Sequence, residues 1–353
     1  MNQVLQEFRE RIASASASKR ALRIRGNGTK DWYGQSFDGE VLDTTAYSGI
    51  VSYDPTELVV TARAGTTLRE IGAALSEKKQ MLAFEPPRFD GLATIGGIVA
   101  SGLSGPRRQA VGSVRDFVLG SALMDGKGEV LNFGGEVMKN VAGYDVSRLL
   151  AGSLGTLGLI LEVSLKVLPR PFAQHSLQFA MGEEEALHQV NVWGGQPLPV
   201  SATCWHDGKL AVRLSGAQAA VDAAIAKMGG SALPDADAFW DSLREQQHAF
   251  FADAPQGLWR VSVPTVAPAL NLPGQQLIEW GGAQRWLKTS ADAATIRAAA
   301  TAAGGHATLF KGGDKSVGVF QPLAPAVARI HRNLKNAFDP AGIFNPRRMY
   351  NDF

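Results

Sequence analysis

Cysteine is almost absent from this sequence, and its scarcity excludes two kinds of structure. Cys204 is the single cysteine among 353 residues, so no internal disulfide can form, which fits a protein of a reducing compartment. One thiol also cannot hold an iron–sulfur cluster, which needs about four ligands. Any iron–sulfur chemistry linked to this chain must therefore come from a separate protein.

Long apolar runs and a strong net charge are missing as well. No uncharged apolar segment approaches the ~20 residues that span a bilayer, and the N-terminus lacks the apolar core and cleavage site of a secretory signal. Lysine and arginine total 35 against 33 aspartate and glutamate, a net charge of +2, so no basic field for nucleic acid is expected. The sequence predicts a cytoplasmic globular protein without a nucleic acid partner.

Histidine is sparse and scattered. The six histidines never stand at a metal-ligand spacing such as His-x-x-x-His, so no metal site is predicted. Each is interpreted first as a surface or packing residue: His175, His188, His206, His248, His306 and His331.

Glycine, in contrast, is concentrated in one segment. Fifteen of the 39 glycines fall between Gly91 and Gly158, although glycine weakens helices and strands. The densest part is 94–113, where a bare backbone allows close approach of a ligand and successive amides can form a concave anion site. A glycine-rich surface loop is the alternative.

A shorter segment has the composition of a phosphate-binding turn. Arg25-Gly26-Asn27-Gly28-Thr29-Lys30 follows a strand candidate, and two glycines between basic residues suit backbone amides that face a phosphate. The dinucleotide-binding pattern G-x-G-x-x-G fails because Asp31 occupies the third glycine position. A plain β-turn is the alternative.

Local patterns predict elements of both kinds. Apolar spacing predicts a helix over residues 2–13, followed by a serine–alanine linker at 14–18. Thr67 and Glu70 have the spacing of a capping box and predict a helix start. Asp125-Gly126-Lys127-Gly128 predicts a β-hairpin.

The composition changes after Pro171, where strand candidates alternate with alanine-rich helices. This alternation predicts an α+β domain with an antiparallel sheet covered by helices. A chain of this length is expected to form two or three domains. We place the boundaries at 1–170, 171–315 and 316–353.

Four motifs occur in the order found in one flavoprotein family. In these motifs the chain resembles the vanillyl-alcohol oxidase/PCMH flavoproteins over about residues 20–170 and the tail. The resemblance implies a PCMH-type FAD-binding domain of two α+β subdomains that clasp FAD, an α+β cap, and a C-terminal segment that returns to the flavin domain. The motifs are Arg25–Thr29, Ala93–Gly97, Gly112–Asp116 and Gly152–Ile160, with Phe338-Asp339-Pro340 and Asn345-Pro346 at the end.

Within that family, the chain is most similar to the FAD-binding subunits of multi-subunit glycolate oxidases. This narrower resemblance depends on Lys139–Asp145, Gly281–Trp286 and Asn345–Tyr350. It implies two partners, a larger homologous flavoprotein subunit and an iron–sulfur subunit, and a small 2-hydroxy acid as substrate. It also allows peripheral association with the inner face of the cell membrane through those partners.

The resemblance further implies which residues contact FAD. The basic turn would meet the diphosphate through its amides, the glycine walls would follow the ribityl chain and ring, and the tail would approach the isoalloxazine. Arg107 or Arg108 could add a charge partner. The implied contacts are Arg25, Gly26, Asn27, Gly28, Thr29, Lys30, Pro86, Thr94, Ile95, Gly96, Gly97, Ser101, Gly102, Gly105, Gly112, Ser113, Asp116, Gly155, Gly158, Ile160 and Asn345.

The implied reaction is hydride transfer from a 2-hydroxy acid to flavin, with an arginine for the carboxylate and a base for the hydroxyl proton. Arg285 and His306, on strand candidates of the cap, are the candidates. Many 2-hydroxy-acid members of the family carry a histidine-rich metal motif that this sequence lacks. Three functions stay open: a subunit that supports a larger catalytic partner, a self-sufficient FAD-dependent 2-hydroxy-acid dehydrogenase, and a flavoenzyme similar to UDP-N-acetylmuramate reductases.

Overall fold

The computed structural model of the chain describes residues 2–135, 146–254 and 256–352. The motif Lys139–Asp145 lies outside the described residues. Two larger antiparallel sheets and two short strand pairs form the scaffold, with helices between their strands. None of the described helices is both long enough and apolar enough to cross a bilayer.

The N-terminal unit packs a long helix against a parallel strand pair. Phe8 and Ile12 of the helix are buried in one cluster with Leu22 and Leu42 of the two strands. The two strands are separated by the basic turn that follows the first of them. The elements are α1 (Asn2–Ser18), β1 (Leu22–Arg25) and β2 (Glu40–Asp43).

The predicted helix at the N-terminus is present, but the predicted linker at 14–18 is wrong. These residues form the last turns of α1. Ala15 is buried, and the hydroxyl of Ser18 donates to the carbonyl of Ser14 at 2.7 Å. Packing on the strands therefore extends the helix through a serine–alanine repeat whose own helix propensity is moderate.

The second unit is a five-stranded antiparallel sheet in the order β3-β4-β8-β6-β7. Its central strand β8 is buried on both faces along most of its length, as befits a strand covered by helices. The predicted capped helix is present, with Thr67 Oγ1 accepting from the amide of Glu70 at 3.2 Å. The predicted hairpin joins β6 and β7.

The strands of this unit are β3 (Ile50–Asp54), β4 (Val59–Arg63), β6 (Val118–Met124), β7 (Val130–Gly134) and β8 (Leu159–Lys166), with the short pair β5 (Gln80–Met81) and β9 (Leu168–Pro169) beside them. The helices are α2 (Leu68–Glu77), α3 (Ile95–Ser101), α4 (Arg108–Val111), α5 (Val114–Phe117) and the 3₁₀ segment Ser147–Leu150.

The cap is an eight-stranded antiparallel sheet in the order β13-β10-β12-β11-β15-β16-β14-β17. The predicted α+β fold with an antiparallel sheet in the second half is confirmed. Its strands are β10 (Ala173–Ala180), β11 (Val200–His206), β12 (Lys209–Gly216), β13 (Ser231–Ala232), β14 (Leu258–Ser262), β15 (Gln275–Glu279), β16 (Gln284–Lys288) and β17 (His306–Lys311).

The two faces of the cap sheet have different neighbours. Helices α6, α7 and α9 cover one face, where Val212 and Val261 are buried. The other face, which includes Trp286 and Phe310, packs against α8 and against Tyr33 of the part of the chain before β10. That part is called the flavin side below, because it carries most of the motifs that resemble those of flavoproteins. The cap helices are α6 (Glu183–Gly194), α7 (Gln218–Met228), α8 (Ala236–Arg244) and α9 (Ala293–Ala302), with 3₁₀ segments at Ala249–Phe251, Trp280–Gly282 and Lys315–Val317.

The tail returns to the first strand after helix α10 (Pro325–Phe338). Phe344 forms a parallel bridge with Leu22, whose amide donates to the carbonyl of Ile343 at 2.7 Å. Lys335 of α10 is buried, and its Nζ donates to Asp339 at 2.6 Å. The chain end is thus held against β1, next to the basic turn.

Candidate functional site

The turn after β1 forms one wall of a small basic pocket. A Cβ on Gly26 would lie 2.5 Å from Thr94 Oγ1, and Gly28 has a φ of +70°, so both positions favour glycine. Asn27 Nδ2 donates to the carbonyl of Leu92 at 2.8 Å. These contacts hold the turn against the start of α3, and both segments line the pocket.

The opposite wall begins at the N-terminus of α3. Thr94 caps this helix, its Oγ1 accepting from the amide of Gly97 at 3.3 Å. A Cβ on Gly97 would lie 3.7 Å from Lys30 Nζ, so the helix start faces the lysine across the pocket. Ser101, at the other end of α3, lines both this pocket and a neighbouring cleft.

Cations outnumber carboxylates around the pocket. Asp31 forms ion pairs with Arg23 (2.9 Å) and Arg25 (2.8 Å). Burial lowers the pKa of Lys30 to about 8, against the attraction of Asp31. Within the described ranges, Lys30 Nζ hydrogen-bonds to Thr29 Oγ1 at 3.0 Å and forms no ion pair. The charged residues lining the pocket are Arg23, Arg25, Lys30, Asp31 and Arg348.

The tail closes the pocket from the far end of the sequence. Asn345 Oδ1 accepts from the amide of Ile24 at 2.8 Å, and its Nδ2 donates to the carbonyl of Leu154 at 2.6 Å. Burial, and then the nearby Arg23, lower the pKa of Arg348 to about 10. One asparagine therefore joins β1, the loop before β8 and the tail.

A larger cleft of about 520 Å³ opens between the flavin side and the cap. Strand register decides which cap residues face it. Arg260 of β14 pairs with Thr308 of β17, and Ser262 pairs with His306. Residues two apart on a strand share a face, so Arg260, Thr308 and His306 lie on one side of the sheet, and all three line the cleft.

Arg260 reaches across the cleft to the flavin side. Its Nη2 donates to the hydroxyl of Tyr33 at 3.0 Å, and its guanidinium lies over the ring of Phe310 at 5.1 Å. His306 lines the cleft. Desolvation of its ring lowers its pKa, and the positive charge of Arg260 lowers it further. This imidazole is therefore suited to be neutral, and to accept a proton, at neutral pH.

Arg108 enters the same cleft from the flavin side. Its guanidinium lies 4.3 Å from the centre of the Trp280 ring. Burial and then the charge of Arg260 lower the pKa of Arg108, while Asp116 opposes the shift. Two arginines from opposite walls thus give the cleft a positive character.

A buried carboxylate ties the two walls together. Glu85 accepts from Arg107 Nε at 3.2 Å and from Arg213 Nη2 of β12 at 2.8 Å. Burial opposes ionisation of Glu85, but the two guanidiniums outweigh it and lower its pKa. Arg107, one of two arginines considered for the diphosphate, therefore has its charge matched by Glu85, whereas Arg108 reaches the cleft.

The structure brings twelve of the predicted FAD contacts to these two cavities. Gly102 and Ser113 line the cleft. The other ten line the basic pocket: Arg25, Gly26, Asn27, Gly28, Thr29, Lys30, Thr94, Gly97, Ser101 and Asn345.

Most of the other predicted contact residues are packed closely against other parts of the protein or belong to the N-terminal cap of α5. A Cβ would lie 2.6 Å from Ala64 at Gly96, 2.1 Å from the Glu85 carbonyl at Gly105, and 2.8 Å from the Met124 carbonyl at Gly158. Ile95, Ile160 and Pro86 are buried. Asp116 accepts from the amide and hydroxyl of Ser113, Gly112 precedes that cap with a φ of +99°, and Gly155 packs beside Asn345.

Arg285 does not face the cleft, which corrects the expectation for this candidate. It pairs with Val261, on the helix-covered face of the sheet, opposite to the face of Arg260. Its side chain is fully buried and donates to three backbone carbonyls of the cap at 3.1, 2.6 and 2.6 Å. This arginine anchors a cap loop.

Tyr33, Arg260 and Arg348 are among the residues of the pocket and the cleft that were missed from the sequence. Tyr33 follows the basic turn by three residues, and Arg348 belongs to the Asn345–Tyr350 motif, so both stood next to recognised signals. Arg260 had no such signal, because only the strand register gives its direction. Trp280 and Trp286 are both buried.

The described part of the chain holds potential metal ligands and one thiol. Residues 2–135, 146–254 and 256–352 contain no group of three or more His, Cys, Asp or Glu that could hold a metal. Cys204 is buried, and burial raises the pKa of its thiol.

The basic pocket fits the diphosphate of FAD. Lys30 is a half-buried cation without an ion-pair partner in the described chain, and Gly26 and Gly28 leave the turn free of bulky side chains. Such a cation beside bare backbone is the donor set that binds a phosphate. The turn Arg25–Lys30 and Gly97 would hold the diphosphate, and Ser101 and Gly102 lead from there to the cleft.

Comparison with known families agrees with this fit. A family model described as an FAD binding domain, FAD_binding_4, matches residues 4–134. This range contains the basic turn, α3 and the arginine of α4. The prediction of FAD as the cofactor is confirmed.

Curated relatives include proteins that match the whole chain and proteins that match part of it. The chain is 50% identical over 345 residues to glycolate oxidase subunit GlcE of Escherichia coli (strain K12), covering 98% of this chain and 97% of the relative. It is 35% identical over 139 residues to a D-lactate dehydrogenase of Anaerostipes hadrus, covering 39% and 29%. Glycolate oxidase subunit GlcD of Bacillus subtilis (strain 168) matches at 32% over 155 residues, covering 43% and 33%.

Among solved structures, an alkyldihydroxyacetonephosphate synthase aligns with a TM-score of 0.65. The alignment covers 97% of this chain and 74% of that chain at 15% identity. At this identity the likeness concerns the fold alone, and it agrees with the PCMH-type FAD-binding fold predicted from the motifs.

Proposed function

Because this chain belongs to the GlcE family of glycolate oxidase subunits, we propose that it is the FAD-binding subunit of a multi-subunit glycolate oxidase that converts glycolate to glyoxylate. The observation that carries the proposal is the 50% identity over 97% of the relative. The chain is thus part of an FAD-dependent oxidoreductase that acts on CH–OH groups. The cleft between the flavin side and the cap supplies a place for the substrate.

Bound FAD supplies the hydride acceptor, so the alcohol carbon of glycolate loses a hydride and its hydroxyl loses a proton. The chain's own residues would bind and orient the acid. Arg108 and Arg260 offer positive charge in the cleft, and His306 lies on the same face as Arg260 to take the hydroxyl proton. Glu85 holds the two walls together.

Electrons must leave the reduced subunit through another protein. The chain contains one cysteine, and that cysteine is buried in the cap. We infer that an iron–sulfur subunit accepts the electrons and that a larger homologous flavoprotein subunit completes the assembly. Peripheral association of a cytoplasmic complex with the inner face of the cell membrane would come through these partners.

The test separates a supporting subunit from a self-sufficient enzyme. The FAD-loaded chain is mixed anaerobically with glycolate, alone and with its two partner subunits, and the flavin absorbance is followed. Glycolate turnover by the assembly that stops when this chain is omitted supports the proposal. An assembly equally active without this chain overturns it, and NADPH oxidation by the isolated chain would favour a reductase instead.

A self-sufficient 2-hydroxy-acid dehydrogenase is a second candidate, because the chain carries its own cationic cleft. Arg108, Arg260 and His306 line one cavity without any contribution from another subunit. This candidate expects glycolate to bleach the flavin of the isolated chain. A flavin that stays oxidised until the partners are added excludes it.

A further inference from the structure

Two half-buried arginines of the cleft differ from the buried arginines of the described chain in how their donors are used. Within the described chain, Arg108 contacts the Trp280 ring and makes no hydrogen bond, and Arg260 makes one, to the hydroxyl of Tyr33. A guanidinium offers five N–H donors. Most donors of both side chains are therefore without a partner in the described chain, and both side chains line the same cleft.

The three buried arginines in the described part of the chain use their donors inside the protein. Arg107 and Arg213 donate hydrogen bonds to the carboxylate of Glu85, and Arg285 donates hydrogen bonds to three backbone carbonyls. Those three guanidiniums therefore have hydrogen-bond acceptors inside the protein. Arg108 and Arg260 are not matched in this way, and they come from separate parts of the fold, α4 and β14.

The electrostatics of the pair also favour a bound anion. Arg260 lowers the pKa of Arg108 by like-charge repulsion, after the effect of burial. Asp116 attracts Arg108, but the carboxylate of Asp116 already accepts from the amide and the hydroxyl of Ser113 at 2.8 and 2.9 Å. An external anion between the guanidiniums would relieve the repulsion and use the open donors.

We propose that Arg108 and Arg260 form a clamp for the carboxylate of a small 2-hydroxy acid, closing across the cleft between the flavin side and the cap. This assignment rests on the proposed function, which supplies the class of acid. Arg108 binds from the flavin side and Arg260 from the cap. Tyr33 accepts a hydrogen bond from Arg260 and so fixes the direction of its guanidinium.

The clamp explains why arginine stands at both positions. A planar guanidinium can meet both oxygens of a carboxylate, whereas a lysine ammonium acts as a point charge. The neighbours on β17, Thr308 and His306, would then face the hydroxyl end of the same acid, since they share the face of Arg260.

The experiment measures binding of oxalate, a dicarboxylate with no hydrogen on carbon, to the FAD-loaded chain by calorimetry and by perturbation of the flavin absorbance. Glycolamide, which lacks the carboxylate, is the neutral probe. Arg108→Gln and Arg260→Gln are each expected to weaken oxalate binding by at least about tenfold, the effect of losing one charge-assisted contact. Arg69→Gln, at an exposed arginine of α2, is the matched control and is expected to bind as the parent does.

FAD content and thermal stability are measured for each variant, and Arg260→Lys and Arg108→Lys serve where a glutamine variant does not fold. Lysine is expected to bind oxalate less tightly than arginine at each position. Equal oxalate affinity in parent and variants overturns the clamp, as does a parent chain that binds glycolamide as well as oxalate or binds neither.

The outcome is separable from that of the proposed function. If the assembly oxidises glycolate only when this chain is present, but the FAD-loaded chain does not bind oxalate, the clamp is contradicted and the proposed function is supported. If oxalate binding depends on both arginines but the assembly oxidises glycolate without this chain, the anion site is supported and the proposed function is contradicted.

Discussion

FAD should bind more weakly as the pH rises above 8, because Lys30 loses its proton there before the cofactor arrives. Burial lowers the pKa of this lysine to about 8 in the free chain. A phosphate charge about 4 Å from the ammonium, at an effective dielectric of about 20, attracts it by roughly 4 kcal/mol, or about three pKa units. The bound lysine therefore stays protonated to beyond pH 10, and binding above pH 8 must take up a proton.

The size of the effect follows from the fraction of protonated lysine. Near pH 9 about one tenth of the free chain carries the proton, so the affinity for FAD should be about tenfold lower than near pH 7, or ~1.4 kcal/mol. The assay is titration of the flavin-free chain with FAD by flavin fluorescence. Measurements stop near pH 9.5, because the pKa of Arg348 is also lowered, to about 10.

Calorimetry in buffers of different ionisation enthalpy gives a second measure, since about half a proton should be taken up per FAD near pH 8. Lys30→Met should bind FAD more weakly near pH 7 and lose the pH dependence. Lys209→Met, at an exposed lysine of the cap, should behave as the parent. A dissociation constant that does not change between pH 7 and 9, or a tenfold change that persists in Lys30→Met, would refute the reasoning.

Three further substitutions test the scaffold around the site. Asn345→Ala leaves a backbone amide and a carbonyl without their partner, so urea unfolding should show a loss of about 1–3 kcal/mol and purified chains should carry less FAD; unchanged values would contradict this role. Glu85→Gln leaves Arg107 and Arg213 with uncompensated buried charge, at a cost of about 3–5 kcal/mol in the same assay, and a neutral result would show that the triad is dispensable. Burial raises the pKa of Glu279 to about 7 in the folded chain. The protonated carboxyl therefore contributes fully to the free energy of unfolding below the unfolded-state pKa. This contribution, up to about 3 kcal/mol, is lost as the pH rises to about 7. Glu279→Gln should flatten that slope in unfolding measured against pH, and an equal slope in both proteins would contradict the assignment.

The basic pocket, which we propose binds the diphosphate, could be predicted from the sequence because its chemistry is local. Bare amides between basic residues lie within one turn, Arg25–Lys30, and the capped start of α3 lies within another short segment. The order of the motifs then identified the family. No knowledge of strand register was needed for either segment.

The substrate half could not be predicted, because it depends on register. Arg260 and Arg285 are both arginines on strands of the cap, and adjacent pairing positions send one to the cleft and the other to the helix-covered face. A shift of one residue would exchange their surroundings. The sequence also could not distinguish a glycine that lines the basic pocket, such as Gly97, from one that packs on backbone, such as Gly105.

The hydrogen bonds of Asn345 have a consequence for how the protein matures. One of them links Ile24 of β1, just before the basic turn, to a residue 321 positions later in the chain. A ribosome therefore exposes β1 long before it makes the side chain that holds this strand in place. The basic pocket is completed only after Asn345 has been synthesised, so we expect a vitamin-derived cofactor held there to bind after the tail has folded back onto β1.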